Sequence, residues 1–353
     1  MKTKEFFNAV NLMVKEKGID KTGIFEAMEL ALVSAYKKHF NKANARVIID
    51  EEKQQIRVLS YLNVVEEIQD EDTDILLEDA LKIVPNIQIG ETIEEEVDVK
   101  EFGRVAASTA KQVVIQKVRE AERNVIVDEF ADKENEMVTG IVEMEDARNY
   151  YINLGRTQGI LAKTETIPGE TIKMGSSIKV YITKVENNSK GPLILLSRNH
   201  YGFVKRLFEL EIPEINEGII LVYGVARDAG VRSKIAVASE NERVDAVGSC
   251  IGEKGMRIAN ILKELGGEKV DIVPYDKDAA KFIENALSPA KNLIVLITDE
   301  KKREALVIVD NDNLSLAIGK KGLNVRLASR LTRFKIDVKT YDQAREDGIN
   351  IVK

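Results

Sequence analysis

Hydrophobic residues recur at helical spacing at the start of the chain. Phe7, Val10 and Val14 share one face of a first helix, and Ile24 and Met28 begin a second helical repeat. Three runs with a strand-like pattern follow, at residues 45–49, 56–65 and 93–99. The front of the chain is therefore predicted to be an α/β domain.

A long uninterrupted helix is predicted next. No Gly or Pro occurs between Arg104 and Asp128, and Val114, Val118 and Val125 recur along one side. At 1.5 Å per residue this helix would be about 37 Å long. We expect it to end the first domain.

The hydrophobic pattern then changes to short strands separated by Gly, Pro and Asn turns. Five such strands are predicted, at residues 138–142, 150–154, 159–162, 178–185 and 193–197. Five short strands in succession indicate a small OB-type barrel, a fold that binds oligonucleotides on one strand face. Tyr150 and Tyr151 lie next to each other on the second strand, so alternation turns one ring inward and one outward. Core packing and base stacking both remain open for these rings.

The final third of the chain contains an internal duplication. Residues 248–255 read GSCIGEKG and residues 315–322 read SLAIGKKG, and each is followed by a periodic helix and a strand containing KVD or KID. Paired strands are predicted before each copy, at 219–225 with 233–238 and at 293–297 with 305–309. One GxxG alone would favour a plain turn between helices, but two copies in the same frame favour a shared function. Little linker separates the copies, so one RNA strand is expected to cross both turns.

A GxxG turn between two helices is what a KH domain requires. Glycines allow backbone N–H groups to approach RNA phosphates without a Cβ clash, at a helix N-terminus that favours anions. The first copy is electrostatically weaker because Glu253 stands where the second copy has Lys320. The following residues are predicted to contact RNA: Gly252, Glu253, Lys254 and Gly255 in the first copy, and Gly319, Lys320, Lys321, Gly322, Asn324, Arg326 and Arg330 in the second.

Composition and charge refine this picture. With 353 residues, 44% hydrophobic and 31% charged, the chain fits a soluble protein of about two to four domains. It has no apolar run long enough to span a membrane and no signal-peptide pattern, so we expect a cytoplasmic protein. Cys250, His39 and His200 are far apart in sequence, and no metal or cofactor is expected. The net charge of the whole chain is −7, but the charge is unevenly distributed. Residues 66–101 carry about −12, and residues 301–345 carry about +6.

The order of these elements resembles the NusA family of bacterial transcription factors along essentially the whole chain. The most specific strings are AASTAKQVVIQKVREAER at 106–123, VDAVGSCIGEKGMRI at 244–258 and NDNLSLAIGKKGLNVRLASRLT at 311–332. The resemblance implies a multidomain α+β chain. Its parts would be a polymerase-binding α/β domain with a long helix at 1–130, an S1-type OB barrel at 131–200, and tandem type II KH domains at 201–276 and 277–353.

The resemblance also implies a function. The first domain would dock on RNA polymerase beside the RNA exit channel, and the barrel and KH units would hold emerging single-stranded RNA. This placement would modulate pausing, intrinsic termination and antitermination, with other antitermination factors as possible partners. The resemblance adds Arg257 to the RNA contacts and assigns Phe6, Phe7, Ile24 and Arg104 to the polymerase side.

The remaining expectations concern regulation and assembly. The chain ends shortly after the second KH unit, so regulation through the acidic C-terminal repeats of some family members is not expected. Nothing in the sequence suggests an obligate oligomer, and a monomer is expected.

Two other functions compete with this interpretation. An enzyme is disfavoured because the sequence has no Walker A loop, GxGxxG, HExxH or Cys–His pairing, so catalysis would depend on carboxylates alone. The second alternative is an RNA-processing or ribosome-associated KH/S1 protein that never binds polymerase. Its RNA site would be the same.

Overall fold

The computed structural model describes residues 7, 10, 11, 21–40, 44–70, 72–96, 99–188 and 191–348, without the side chains of residues 40 and 99–107. The chain divides into two compact units, Met1–Ile126 and Val127–Lys353. Each unit has hydrophobic cores of its own. Within the described ranges, no helix is long and apolar enough to cross a membrane.

The first unit combines helices with a four-stranded sheet. Its elements are α1 (Lys21–Phe40), β1 (Ala45–Asp50), β2 (Gln55–Val65), β3 (Asp74–Leu76), α2 (Leu77–Ile83), β4 (Thr92–Glu96) and most of α3 (Val99–Ala131). β2 is central: it pairs antiparallel with β1 and β4 and parallel with β3. The predicted α/β front is confirmed, although β3 and α2 were not predicted.

The core of the first unit follows from helical periodicity. Ile24, Met28, Leu32 and Tyr36 are spaced four apart on α1 and are all buried, so one face of the helix covers the sheet. The helix α3 begins earlier than predicted and continues through Gly103. A single glycine within a helix costs only about 1 kcal/mol, so it does not have to end one.

The second unit begins with a closed five-stranded barrel in the order β5-β6-β7-β9-β8. Its strands are β5 (Met137–Glu145), β6 (Asn149–Asn153), β7 (Gln158–Ala162), β8 (Ser177–Asn188) and β9 (Gly191–Ser197). Only the β7–β9 pairing is parallel. All five predicted strands are confirmed because alternating residues such as Val142, Ile152 and Leu161 point into the barrel and are fully buried.

Two units of the same topology follow the barrel. The first contains α4 (Tyr201–Glu211), α5 (Pro213–Asn216), β10 (Ile220–Asp228), β11 (Arg232–Ser239), α6 (Ala246–Ile251), α7 (Met256–Glu264) and β12 (Lys269–Pro274). The second contains α8 (Ala279–Ala286), β13 (Ile294–Asp299), β14 (Glu304–Val309), α9 (Asn311–Ile318), α10 (Leu323–Thr332) and β15 (Lys335–Thr340), followed by α11 (Tyr341–Glu346). Each sheet has one antiparallel and one parallel pairing. The predicted duplication is confirmed.

The two repeated units pack head to tail. Ala226, Ala236 and Val273 on the sheet of the first unit share a core with Leu327 and Leu331 on α10 of the second. Lys234, which is fully buried, donates to Asp271 (2.9 Å) and to the backbone carbonyl of Ser288 in the second unit (3.0 Å). The equivalent sheet face of the second unit is covered instead by α11 through Ala344.

Buried charged groups join the barrel to the first repeated unit. Arg198, at the end of β9, donates to Glu170 and to Glu264 of α7 at 2.9–3.1 Å. Arg227 donates to Glu268 and to the backbone carbonyls of Arg198 and His200 at 2.7–3.2 Å. Their guanidinium groups lie against the ring of Phe203, at 4.9 and 5.8 Å from its centroid respectively.

Candidate nucleic-acid interface

The two GxxG turns have the same backbone conformation. φ is 75° at Gly252 and 74° at Gly319, and it is 51° at Lys254 and 55° at Lys321. The closing glycines, Gly255 and Gly322, are also left-handed. A left-handed residue with a side chain costs roughly 1–2 kcal/mol, so the lysine conformation is maintained by its surroundings. Each turn leads directly into a helix, α7 or α10, whose N-terminus favours anions.

The first glycine of each turn is closely approached by the following helix. A Cβ on Gly252 would lie 2.7 Å from Cγ of Arg257, and a Cβ on Gly319 would lie 2.7 Å from Cβ of Asn324. Neither distance is compatible with a side chain at the glycine. The motif therefore needs glycine at this position for packing as well as for its backbone conformation.

The second turn presents more positive charge than the first. Lys320, Lys321 and Arg330 are exposed, and none has an ion-pair partner in the part of the chain that the structure describes. In the first turn the corresponding exposed pair is Glu253 and Lys254, whose charges cancel. The second turn is thus the stronger candidate for binding phosphate.

Two predicted contacts are held by carboxylates. Arg257 donates to Glu214 at 2.8 and 3.0 Å, and Arg326 donates to Asp228 at 2.6 Å. Backbone N–H donation at Glu214, supported by the Arg257 guanidinium, lowers the pKa of the Glu214 carboxyl, which therefore stays ionised at neutral pH. Sequence reasoning missed both carboxylates because Glu214 precedes Arg257 by 43 residues and Asp228 precedes Arg326 by 98.

Asn324 does not line the surface as predicted. Its side chain is buried, with 4% of the residue exposed, and its amide Nδ2 lies within donating distance of the carbonyls of Leu287, Leu316 and Ala317. The sequence prediction made it an RNA contact, but its position at the beginning of α10 directs its side chain under the turn. An RNA contact by this side chain is therefore wrong for this structure.

The barrel tyrosines are both half-buried, so neither belongs to the fully buried core. The hydroxyl of Tyr151 donates to Asp146 at 2.8 Å, and Lys163 Nζ lies 5.2 Å from the ring centroid of Tyr150. Donation by the Arg148 N–H, followed by the Tyr151 hydroxyl, lowers the pKa of Asp146 to about 2. Tyr151 is therefore held by an ionised carboxylate. A cation–aromatic pair covers part of Tyr150.

The residues predicted to contact polymerase are buried where the structure describes their side chains. Phe7 and Ile24 are 1% and 0% exposed and lie in the core of the first unit, where Phe7 makes an edge contact with Phe25. Their burial in this core contradicts their prediction as polymerase contacts. Phe6 lies outside the described residues, and so does the side chain of Arg104.

The sulfur and imidazole groups of the second unit are structural. Cys250 is buried on α6, and burial raises the pKa of its thiol to about 12, which keeps the thiol protonated. Nδ1 of His200 accepts the Gly202 N–H and caps α4, and its ring stacks on Tyr181. The described residues contain no group of three or more His, Cys, Asp or Glu that could hold a metal ion.

Comparison with known proteins identifies the family. Three family models match: NusA N-terminal domain at residues 5–124, NusA-like first KH domain at 198–275 and NusA-like second KH domain at 279–346. The relatives include proteins named transcription termination/antitermination protein NusA from three bacteria. The Bacillus subtilis protein is 49% identical over 98% of this chain and 93% of its own length. Those of Halalkalibacterium halodurans and Thermus thermophilus are 48% and 41% identical over 98% and 94% of this chain, and over 90% and 89% of their own lengths. The chain belongs to the NusA family of transcription termination/antitermination proteins.

Proposed function

We propose that this chain is an RNA-binding transcription elongation factor that binds RNA polymerase and nascent RNA. It modulates pausing, intrinsic termination and antitermination, acts in the cytoplasm and is not an enzyme. The observation that carries this proposal is the pair of GxxG turns with matching backbone conformation in one packed unit. Two phosphate-binding turns on a common support favour an extended single strand of RNA over a compact ligand.

The proposed RNA contacts are the backbone and lysines of the two turns, with Arg326 and Arg330 on the helix after the second. Tyr150 and Tyr151 are proposed as a weaker site on the barrel. Exposure supports the assignment of Lys320, Lys321 and Arg330, because exposed cations with no ion-pair partner among the described residues can pair with phosphates at little cost. The domains that divide these tasks are proposed as 1–130, 131–200, 201–276 and 277–353.

Residues 1–130 are proposed to bind RNA polymerase. Support comes from the match of residues 5–124 to the NusA N-terminal domain and from the names of the relatives. Polymerase and nascent RNA are thus the main partners, with other antitermination factors as further ones. A monomer satisfies this function because one chain carries both activities.

Transcription in vitro through a hairpin pause site tests the proposal. We expect the full chain to lengthen the pause. A variant with Asp at the second and third positions of both turns is expected to lose most of this effect, although it should still bind polymerase. Residues 1–130 should compete with the full chain for polymerase. If RNA binds tightly but neither pausing nor polymerase binding occurs, the chain is an RNA-processing or ribosome-associated protein instead.

A further prediction concerns the pair formed by Asp228 and Arg326. Their side chains are 37% and 49% exposed and 2.6 Å apart, so an RNA phosphate must displace Asp228 to bind Arg326. Because an exposed ion pair contributes only about 0–1 kcal/mol, Asp228→Asn should tighten RNA binding by about two- to threefold. Fluorescence anisotropy with labelled single-stranded RNA measures this change.

Two controls show whether the change in RNA affinity comes from the ion pair itself. Glu217→Gln removes an equal charge from an exposed position of the same domain and should change the affinity less. In the Arg326→Ala background, Asp228→Asn should have almost no effect. Weaker RNA binding by Asp228→Asn alone would mean that the pair serves to align the two KH units.

A further inference from the structure

We propose that Arg257 and Asn324 are matching positioning residues, which hold the two GxxG turns in the RNA-binding conformation from behind and do not contact RNA. This inference rests on the proposed function, since it assigns the turns themselves to RNA. Both residues were predicted from the sequence as RNA contacts. Their side-chain partners give them a different role.

The two residues occupy the same place in the duplicated unit. Arg257 follows Gly252 by five residues, and Asn324 follows Gly319 by five. The strands after them correspond with a one-residue gap, because Lys269 and Lys335 each begin the parallel strand that closes the sheet. A shared contact at this position is therefore a property of the repeat.

The two residues donate to backbone carbonyls at equivalent positions of the repeat. Arg257 Nη1 lies 2.8 Å from the carbonyl of Ser249, and Asn324 Nδ2 lies 3.1 Å from the carbonyl of Leu316. Ser249 and Leu316 each precede the first glycine of their turn by three residues. These carbonyls belong to the last turn of α6 and α9, where no intrahelical donor is available. The side chain therefore caps the helix that enters the turn.

The same side chains fill the space behind the first glycine. As described above, a Cβ on Gly252 would meet Cγ of Arg257, and a Cβ on Gly319 would meet Cβ of Asn324. The turn is thus supported against the base of the following helix. This support holds the following lysine, Lys254 or Lys321, in its left-handed conformation.

Each residue is also anchored to the element that precedes the sheet of its domain. Arg257 is anchored by Glu214 of α5, and Asn324 donates to the carbonyl of Leu287 at the end of α8 (2.9 Å). The two anchors differ in chemistry, but both connect the turn to the body of its domain. Asn324 is buried and directs its Nδ2 donors inward, whereas Arg257 makes these hydrogen bonds through Nη1 and its side chain is 32% exposed.

The hydrogen bonds of Asn324 show that this position requires a donor and not an acceptor. Its Oδ1 is buried without a hydrogen-bond partner, the only such side-chain atom among the residues that the structure describes. An orphaned acceptor destabilises the folded state, so the site accepts that cost while its Nδ2 faces three carbonyls. A group that only donates, such as the guanidinium in the first copy, satisfies the equivalent site without an orphan.

Amide hydrogen exchange of the full chain without RNA tests the positioning role directly. The amides of Gly252 and Gly255, and those of Gly319 and Gly322, are hydrogen-bonded within the turns. We expect Arg257→Gln to accelerate exchange at the first two by about tenfold, and Asn324→Ala to do so at the second two. The amides of β11 and β14 should keep their protection, which also shows that the variants fold. The matched variants Lys254→Gln and Lys321→Gln remove turn charges and should leave exchange unchanged. Unchanged exchange in the positioning variants would overturn the inference.

RNA affinity as a function of salt separates positioning from contact. Arg257→Lys keeps the charge, but its ammonium lies one bond nearer the backbone than Nη1, the atom from which Arg257 donates to Glu214 and to the Ser249 carbonyl. It should therefore lose affinity about as much as Arg257→Gln, by about tenfold. The salt slope should stay near the wild-type value in Arg257→Lys and fall by about 0.7 in Lys254→Gln. Wild-type affinity in Arg257→Lys, with a reduced slope in Arg257→Gln, would instead make Arg257 an RNA contact.

The two tests fail for different reasons. If the wild-type chain binds no RNA, the proposed function is wrong, but hydrogen exchange still decides whether Arg257 and Asn324 position the turns. If RNA binds and exchange is unaffected by the variants, only the positioning role is lost.

Discussion

Replacing Lys320 and Lys321 by Asp is expected to weaken binding of single-stranded RNA by about a hundredfold near physiological salt. The change reverses two exposed charges at a turn where no described carboxylate neutralises them. It also places negative charge where backbone N–H groups would meet phosphates, so the loss exceeds that of neutral substitutions. Anisotropy titrations at several salt concentrations measure both the affinity and its salt slope, which should become flatter.

The first turn provides an internal comparison. It already carries Glu253, so Lys254→Asp reverses only one charge and should weaken binding by about tenfold. An equal or larger loss at the first turn would mean that charge does not set the relative weight of the two KH units.

A matched control separates the turn from the overall charge of the domain. Lys301 and Lys302 are exposed in the β13–β14 turn, which lies beside the start of β15, where the Lys335 N–H donates to the Arg303 carbonyl at 2.8 Å. This is the opposite end of α10 from the GxxG turn. Lys301→Asp with Lys302→Asp changes the net charge equally and should weaken binding by less than about threefold. A similar loss in both double variants would indicate nonspecific attraction.

Replacing Glu268 by Ala is expected to destabilise the barrel and first KH unit by about 3–5 kcal/mol. Its side chain and that of Arg227 are 0% and 2% exposed, and Glu268 also accepts from Ser233 and from the Gly230 N–H. Removing the carboxylate leaves a buried guanidinium without its counter-charge, together with two further unsatisfied donors. In thermal unfolding of the full chain we expect the transition of this unit to fall by about 10 °C.

Two further variants serve as controls for Glu268→Ala: one breaks an exposed ion pair, and the other removes both charges of the buried pair. Lys335→Gln breaks a pair with Glu304 in which the lysine is 82% exposed, and it should cost less than about 1 kcal/mol. Arg227→Met combined with Glu268→Ala should recover part of the loss, because no buried charge then remains unpaired. If Glu268→Ala unfolds at the wild-type temperature, the network does not hold the barrel to the KH unit.

The repeated units were predictable because their signals are local. The GxxG spacing, the helix after it and the strand that follows lie within about 25 residues of each other, and they occur twice in one frame. The barrel strands were predictable for a related reason. Side chains alternate between the two faces of a strand, so Ile152 points into the barrel once the sheet closes. This prediction needs no information about the neighbouring strands.

Asn324, Phe7 and Ile24 show where prediction failed. A polar residue on a helix is normally exposed, and only the packing of α8, α9 and α10 around Asn324 encloses it. An apolar helical face covers a core or binds a partner, and its pattern is the same in both cases. Burial of Phe7 and Ile24 decided between these alternatives.

The sequence by itself determined the kinds of domain, their order and the two GxxG turns, because each of these depends on residues close together in the chain. The tertiary structure alone decided which side chains remain available to RNA. Asp228 reaches Arg326 and Glu214 reaches Arg257 across long stretches of chain, and a charge is neutralised by what lies within a few ångströms in space. Local pattern carries no record of such neighbours, so the proposed division between contacting and positioning residues depends on the folded chain.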